Sequence, residues 1–309
     1  MILLQQMIVL FLIMMVGFVC RRTGILNKDA SKLLSGIVVN VANPALILSS
    51  SMNPETTIGG KELALTFGLA IGLYLIYLLL AEIIPRVMRI ESDDFGVYKV
   101  MTVFSNIGFM GFPLLSALSG SESLLYASLF TIPYNILIYT YGVSALVKHE
   151  KVAEEKRDRI QWSKIFNIGV IACILALILY FTRLPMPAVM ENVVDTLGSL
   201  TAPLSMIVIG DAMSQMKLKE LFADKKLMLF SGIKLLVIPI IALVFVKMLD
   251  MSPMLTGVCM VMLATPVGSM TAMLAQQYDG NYELASKGVA LTTLLSVITM
   301  PIVSMIHGI

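Results

Sequence analysis

Charge is what this 309-residue chain has least of. Asp, Glu, Lys and Arg make up 14% of it, against about 25% in a typical soluble domain. A soluble fold needs a polar surface, and a chain with 58% apolar residues and a mean hydropathy of +0.88 cannot supply one. Cysteine is scarce too: Cys20, Cys173 and Cys259 show no C-x-x-C spacing, so neither a disulfide framework nor a thiolate metal centre is expected. The two histidines, His149 and His307, fall in a loop and at a terminus, which gives no metal pair or proton relay. G-x-x-x-x-G-K-[ST], H-E-x-x-H and G-x-S-x-G are all missing. The chain therefore reads as neither an ATP-driven pump nor an enzyme. No Lys or Arg precedes Arg21, so the first apolar run lacks the basic start of a secretory signal and reads as a retained helix.

What is present is a series of long uncharged runs. Met1–Cys20, Leu33–Pro54, Leu63–Ala81, Val100–Ser121, Leu124–Leu146, Ile165–Thr182, Met251–Tyr278 and Gly288–His307 contain no Asp, Glu, Lys or Arg. About 20 apolar residues suffice to cross a bilayer as a helix. Two further runs, Asn192–Gly210 and Leu227–Val246, are each interrupted by one charge, Asp195 and Lys234. The expectation is an all-α membrane protein of ten transmembrane helices.

If the loops alternate between the two sides, seventeen Lys and Arg residues fall on one side and three on the other. Positive residues favour the cytoplasmic side, so the expectation is a multi-pass protein of the cell membrane with both termini extracytoplasmic. Five spans then precede a charged cytoplasmic linker (148–164) and five follow it, predicting two repeats, 1–147 and 165–309, of opposite orientation. The linker mixes bases with Glu150, Glu154, Glu155 and Asp158, as a solvated connection does, and no nucleic-acid partner is expected. Trp162 beyond it reads as an interfacial anchor. Related fragments recur at an offset near 159 residues: Asn43-Pro44 and Ala202-Pro203, Lys61-Glu62-Leu63 and Lys219-Glu220-Leu221.

The fourth and ninth spans carry the functional expectation. Asn106, Gly108, Gly111 and Pro113 crowd one; Thr265, Pro266, Gly268, Ser269 and Thr271 crowd the other. Proline removes an N–H and glycine permits unwinding, and a broken backbone in a membrane is tolerable only against protein or a water-filled cavity. Two breaks meeting at mid-membrane would bring half-helix N-termini together as an anion site without a buried arginine, while free carbonyls at the other ends can hold a cation. Asn43, Ser105 and Asn135 add polar side chains to the candidate substrate site. Asp211, Lys234 and Lys287 are candidates for ion coupling or charge balance. Each polar residue has a plainer reading as a helix-packing hydrogen bond, Asp211 as an interfacial cap and Lys287 as a snorkelling side chain.

"NPALIL" in the second span, "NIGFMGFPLL" in the fourth and "ATPVGSMTAMLAQQYDGN" in the ninth resemble the auxin efflux carrier family in its bacterial form, which includes malate and malonate permeases. The resemblance runs over essentially the whole chain. It implies the fold of the PIN carriers, the bile-acid/sodium symporters and NhaA-like antiporters: a scaffold of spans one, two, six and seven, and a transport domain of spans three to five and eight to ten. Spans four and nine would cross, with Pro266 at one break and Pro113, Gly108 or Gly111 at the other, and Asn106 beside a substrate carboxylate. It also implies a homodimer through the scaffold. The short linker departs from the long regulated loop of the plant carriers. A secondary transporter of a small organic anion (malate, malonate or an auxin-like acid) is expected, with no cofactor. Proton coupling, sodium coupling and uniport all stay open, and a channel or ligand sensor is the alternative.

Overall fold

The computed structural model describes residues 2–52, 59–120, 122–146, 168–215, 218–278 and 280–307. The expected linker, with His149 and Trp162, lies outside the described residues. In chain order the helices are α1 (Ile2–Arg22), α2 (Asp29–Met52), α3 (Gly60–Val87), α4 (Ser92–Val103), α5 (Ile107–Ser119), α6 (Glu122–Leu146) and α7 (Ile168–Thr182). After them come α8 (Ala188–Ser214), α9 (Leu218–Ala223), α10 (Lys225–Met248), α11 (Pro253–Ala264), α12 (Ser269–Gln277) and α13 (Tyr282–His307). Seven are long and apolar enough to cross a bilayer: α1, α2, α3, α6, α8, α10 and α13. Three shorter ones, α5, α7 and α11, are also apolar. The protein is an all-α, multi-pass membrane protein.

Its outer surface confirms the solvent it is built for. Ile8, Leu12 and Val16 on α1, Leu75 and Leu79 on α3, and Ile241 and Phe245 on α10 all point outward and are exposed. Inside, hydroxyls turn back onto their own helices: Ser50 Oγ donates to the Ile47 carbonyl at 2.6 Å and Thr66 Oγ1 to Glu62 at 2.7 Å. That is how a hydroxyl is satisfied without water.

Helix starts carry the caps that their sequences provide. The Asp224 carboxylate accepts from the Leu227 N–H at 3.0 Å before α10, and Asn281 Oδ1 from the Leu284 N–H at 3.0 Å before α13. Ser252 caps α11 and donates to Glu62 Oε1 in the first turn of α3 at 2.7 Å. Such caps are worth about 1 kcal/mol each.

Prolines shape the helices in a repeated way. Pro44, Pro113 and Pro239 each stand two residues after a π turn, at Val38–Ala42, Ile107–Gly111 and Ile233–Val237. A proline ring clashes with the carbonyl four residues back, and a widened turn just before it relieves that clash without ending the helix. Close approach is used where α1 meets α8: a Cβ at Gly17 would land on the backbone of Ile207, and one at Gly210 on the backbone of Met14. Small residues at such a crossing let two helices pack backbone to backbone in a membrane. In the same way α8 lies on α2 through Gly198, where a Cβ would stand 3.0 Å from the Leu46 Cα. α7 packs on α2 as well.

Candidate functional site

Two interruptions meet inside the bundle. α4 ends at Val103 and α5 starts at Ile107; α11 ends at Ala264 and α12 starts at Ser269. The intervening backbones pair as a single antiparallel bridge, Ser105 opposite Val267. The Asn106 N–H donates to the Pro266 carbonyl at 2.7 Å, and the Gly268 N–H to the Phe104 carbonyl at 2.9 Å. Thr292 Oγ1 on α13 accepts from the Val267 N–H at 3.1 Å. Asn106 itself sits at φ −82°, ψ 59°, and the next N–H, that of Ile107, reaches back to the Ser105 carbonyl at 2.9 Å. This is an inverse γ-turn. The two breaks thus satisfy much of each other's backbone, as burial away from water demands.

The register of the first break differs from the proline signal. It falls at 104–106, ahead of Gly108, Gly111 and Pro113, because the π turn lets Pro113 ride within α5. At Gly111 a Cβ would stand 3.5 Å from the Met262 methyl and 3.7 Å from Thr265 Cγ2, ordinary contact distances.

A cavity of about 300 Å³ opens against the bridge. Among its lining residues are Gly108 and Phe109 from the first turn of α5, and Gly268, Ser269 and Met270 from the start of α12. The bridge consumes the N–H groups of Asn106 and Gly268. The first-turn donors that follow have no carbonyl one turn earlier in their own helix, and the helix dipoles place partial positive charge there. The far wall comes from α2 (Val39, Asn40, Asn43, Ile47) and α7 (Ile168, Gly169), and aromatic rings of Phe109, Phe112, Tyr134 and Tyr139 line the rest. Tyr134 is braced edge-on by Phe104, with centroids 5.4 Å apart.

Of the residues expected from the sequence, Asn43, Ser105, Asn106, Gly108, Asn135, Gly268 and Ser269 all line this cavity. Asn106 Nδ2 and Asn43 Oδ1 are buried without a hydrogen-bond partner, an amide donor and an amide acceptor left for something else. Asn135 Nδ2 donates to the Thr131 carbonyl at 2.8 Å. Pro266 belongs to the bridge; Thr265 Oγ1 donates to the Met262 carbonyl at 3.1 Å; Thr271 is fully buried in α12, its Oγ1 without a hydrogen-bond partner. Three charged candidates stand apart from the cavity. Asp211 pairs with Arg21 across α8 and α1 at 3.5 Å, and Lys287 pairs with Glu283 one turn away at 2.6 Å. Lys234 is fully buried near the bridge, its Nζ 2.8 Å from the Thr102 carbonyl and 2.9 Å from Ser105 Oγ. Sequence reasoning missed Asn40 and the aromatic wall. Asn40 lies one helical turn before Asn43, and Tyr134 lies between Pro133 and Asn135, so proximity to the chosen residues was the available signal.

The profile of one protein family, described as membrane transport protein, matches residues 2–304. The chain belongs to that family. An uncharacterized transporter of Methanothermobacter thermautotrophicus is 23% identical over 302 residues, covering 98% of this chain and 97% of the relative. An uncharacterized transporter of Methanocaldococcus jannaschii is 22% identical over 300 residues, 96% of each chain. Membership of the membrane transport protein family, with the auxin-efflux-carrier-like resemblance, makes this a secondary transporter and not an enzyme. Among the described residues no cluster of three His, Cys, Asp or Glu could hold a metal ion.

Proposed function

We propose that the chain carries a small organic anion, a carboxylate of the size of malate or malonate or an auxin-like acid, through the membrane by alternating access at the crossing of its two broken helices. The single observation that carries this reading is the cavity between the starts of α5 and α12. Two helix N-termini attract negative charge, and the unpaired Asn106 amide donor is suited to a carboxylate oxygen. Among the described residues neither Lys nor Arg lines the cavity, so there the anion is met by dipoles and amides.

The wider architecture of this proposal is ten spans in two inverted repeats, 1–147 and 165–309. α4 with α5 forms the fourth span and α11 with α12 the ninth. The reciprocal hydrogen bonds of the bridge support a two-fold relation between the halves. The scaffold would be α1, α2, α7 and α8, and the moving domain α3–α6 with α10–α13. The cavity wall supports this division, since α2 and α7 form one side and the two breaks with α5, α6 and α12 the other. Motion of one domain against the other would then open the cavity to alternate sides of the membrane. A homodimer through the scaffold face remains part of this reading.

Contacts between helix ends support the grouping of several loops on one side of the membrane, which the charge asymmetry assigns to the cytoplasm. Arg21 meets Asp211, Lys226 meets Glu91 at 3.8 Å, and Asn281 Nδ2 meets Asp94 at 2.8 Å, all among loops on that side. Ser252 meets Glu62 at the opposite end.

Counterflow in proteoliposomes with a panel of labelled mono- and dicarboxylates tests the reading, repeated under imposed proton and sodium gradients. Saturable uptake stimulated by the same anion inside is expected. A conductance without saturation would mean a channel, and binding without flux a sensor; either overturns the proposal.

A further inference from the structure

The crossing has a second face, away from the anion cavity, where the other ends of the two half-helices meet. Thr102 lies in the last turn of α4 and Leu263 in the last turn of α11, where carbonyls lack an intrahelical donor and the dipoles are negative. Lys234 Nζ donates to the Thr102 carbonyl at 2.8 Å, and the Tyr77 hydroxyl donates to the Leu263 carbonyl at 3.4 Å. The Lys234 ammonium also stands 4.4 Å from the centre of the Tyr77 ring and 2.9 Å from Ser105 Oγ, inside the bridge. One donor from α10 and one from α3 therefore hold the two carbonyl ends, and the cation rests on the ring of the second donor.

Lys234 has no exposure to solvent, and among the described residues no carboxylate pairs with it. A buried ammonium is costly unless charge or dipoles compensate it. Here the compensation comes from a helix-end carbonyl, a hydroxyl and an aromatic face, groups that attract a cation. Nothing in such a setting requires a lysine for packing: a methionine or leucine would fill α10 without burying a charge.

We propose that Lys234 is a tethered counter-cation, which holds the carbonyl end of α4 directly and that of α11 through the Tyr77 ring it rests on, and so makes the crossing independent of bound sodium. Ser105 joins this position to the anion cavity, because it touches Lys234, pairs with Val267 and lines the cavity. The cation thereby acts as a positioning residue for the anion site. Its consequence for ion coupling rests on the transport reading above; its structural role does not.

The test uses the purified full chain and three substitutions. Lys234→Ala removes the ammonium and leaves room for a small cation, Lys234→Met fills the room without charge, and Lys234→Arg keeps the charge. Thermal unfolding is followed in choline, sodium and methylammonium chlorides at equal ionic strength. The wild type should unfold at the same temperature in all three. K234A should unfold earlier in choline and recover in sodium or methylammonium, K234M should unfold early in every salt, and K234R should stay nearest the wild type. In proteoliposomes, K234A uptake in choline should fall about tenfold, within the usual range for coupled sites, and recover with the same cations.

A wild type that needs sodium for stability or uptake overturns the proposal. So does a K234A protein as stable as the wild type in choline, or one whose loss no cation restores. If K234A and K234M cannot be isolated folded, the wild-type sodium comparison and K234R decide alone, and sodium dependence in either counts against it. A wild type that transports no organic anion, yet shows the predicted salt pattern in the unfolding series, overturns the transport reading and leaves this inference standing.

Discussion

The backbone N–H of Asn106 reaches the carbonyl of Pro266 at 2.7 Å, joining the broken segment of one half of the chain to that of the other. With the return bond from Gly268 to Phe104 at 2.9 Å, it fixes how the starts of α5 and α12 face the cavity. The two prolines near this crossing therefore have unequal roles. Pro266 lies in the break itself, where it supplies a carbonyl and prevents α11 from winding on. Pro113 lies inside α5, behind a π turn. Pro266→Ala adds an N–H and permits a continuous helix, so uptake should fall about tenfold or more, a loss of roughly 1.4 kcal/mol in the transport cycle. Pro113→Ala should fall by much less. Initial rates in proteoliposomes, normalised to inserted protein, compare the two, and equal rates for both variants would refute the unequal roles.

Asn106 Nδ2 is buried with no partner, beside the first turns of both half-helices. Asn106→Ala should weaken anion binding by about 1.5–3 kcal/mol, the range for a hydrogen bond to a charged group. Asn106→Asp has nearly the same shape but adds negative charge among groups proposed to hold an anion, so its loss should exceed that of alanine. Titration of substrate by calorimetry reads both. An aspartate variant that binds as well as the wild type would contradict an anion site.

Gly17 and Gly108 separate packing from function. At Gly17 a side chain would strike the backbone of Ile207, whereas at Gly108 a Cβ meets only the Asn43 Nδ2 at 3.4 Å. Gly17→Val should destabilise the protein by about 1–3 kcal/mol or prevent folding. Gly108→Ala should keep the wild-type melting temperature within a few degrees and raise the substrate KM, because its methyl enters the cavity wall. Thermal unfolding and uptake kinetics on the same preparations distinguish them.

The sequence made the all-α, multi-pass character legible through its uncharged runs, and "SNIGFMGFP" and "ATPVGSMT" pointed to the segments that form the bridge. The register of the first break was less legible. Gly108, Gly111 and Pro113 are local signals, but the unwinding at 104–106 is stabilised by Pro266, Val267 and Gly268, which are distant in sequence. The start of α4 was hidden for another reason. Ser92–Lys99 carries Asp93, Asp94 and Lys99, and a search for uncharged runs stops short of it although it is helical. Lys234 was visible as a charge in an apolar run, while its partners Thr102, Ser105 and Tyr77 could come only from the packing.

Asp211 offers the last test, since a carboxylate at a membrane helix end suits either a coupling proton or a structural pair. Asp211 is buried on α8 and stands 3.5 Å from Arg21 on α1, with the Gln215 amide 3.3 Å from its other oxygen. It does not line the cavity. Both partners lie between α1 and α8, the two helices proposed to stay fixed together, so protonation of Asp211 would not move with the substrate. Asp211→Asn should lower stability by about 1–3 kcal/mol, less than a fully buried pair because Arg21 is 23% exposed. The response of uptake to an imposed proton gradient should stay as in the wild type. Thermal unfolding reads the first effect and gradient-driven counterflow the second. A D211N protein of normal stability whose proton response is abolished would reverse the assignment, making Asp211 a coupling site instead of a clasp between α1 and α8.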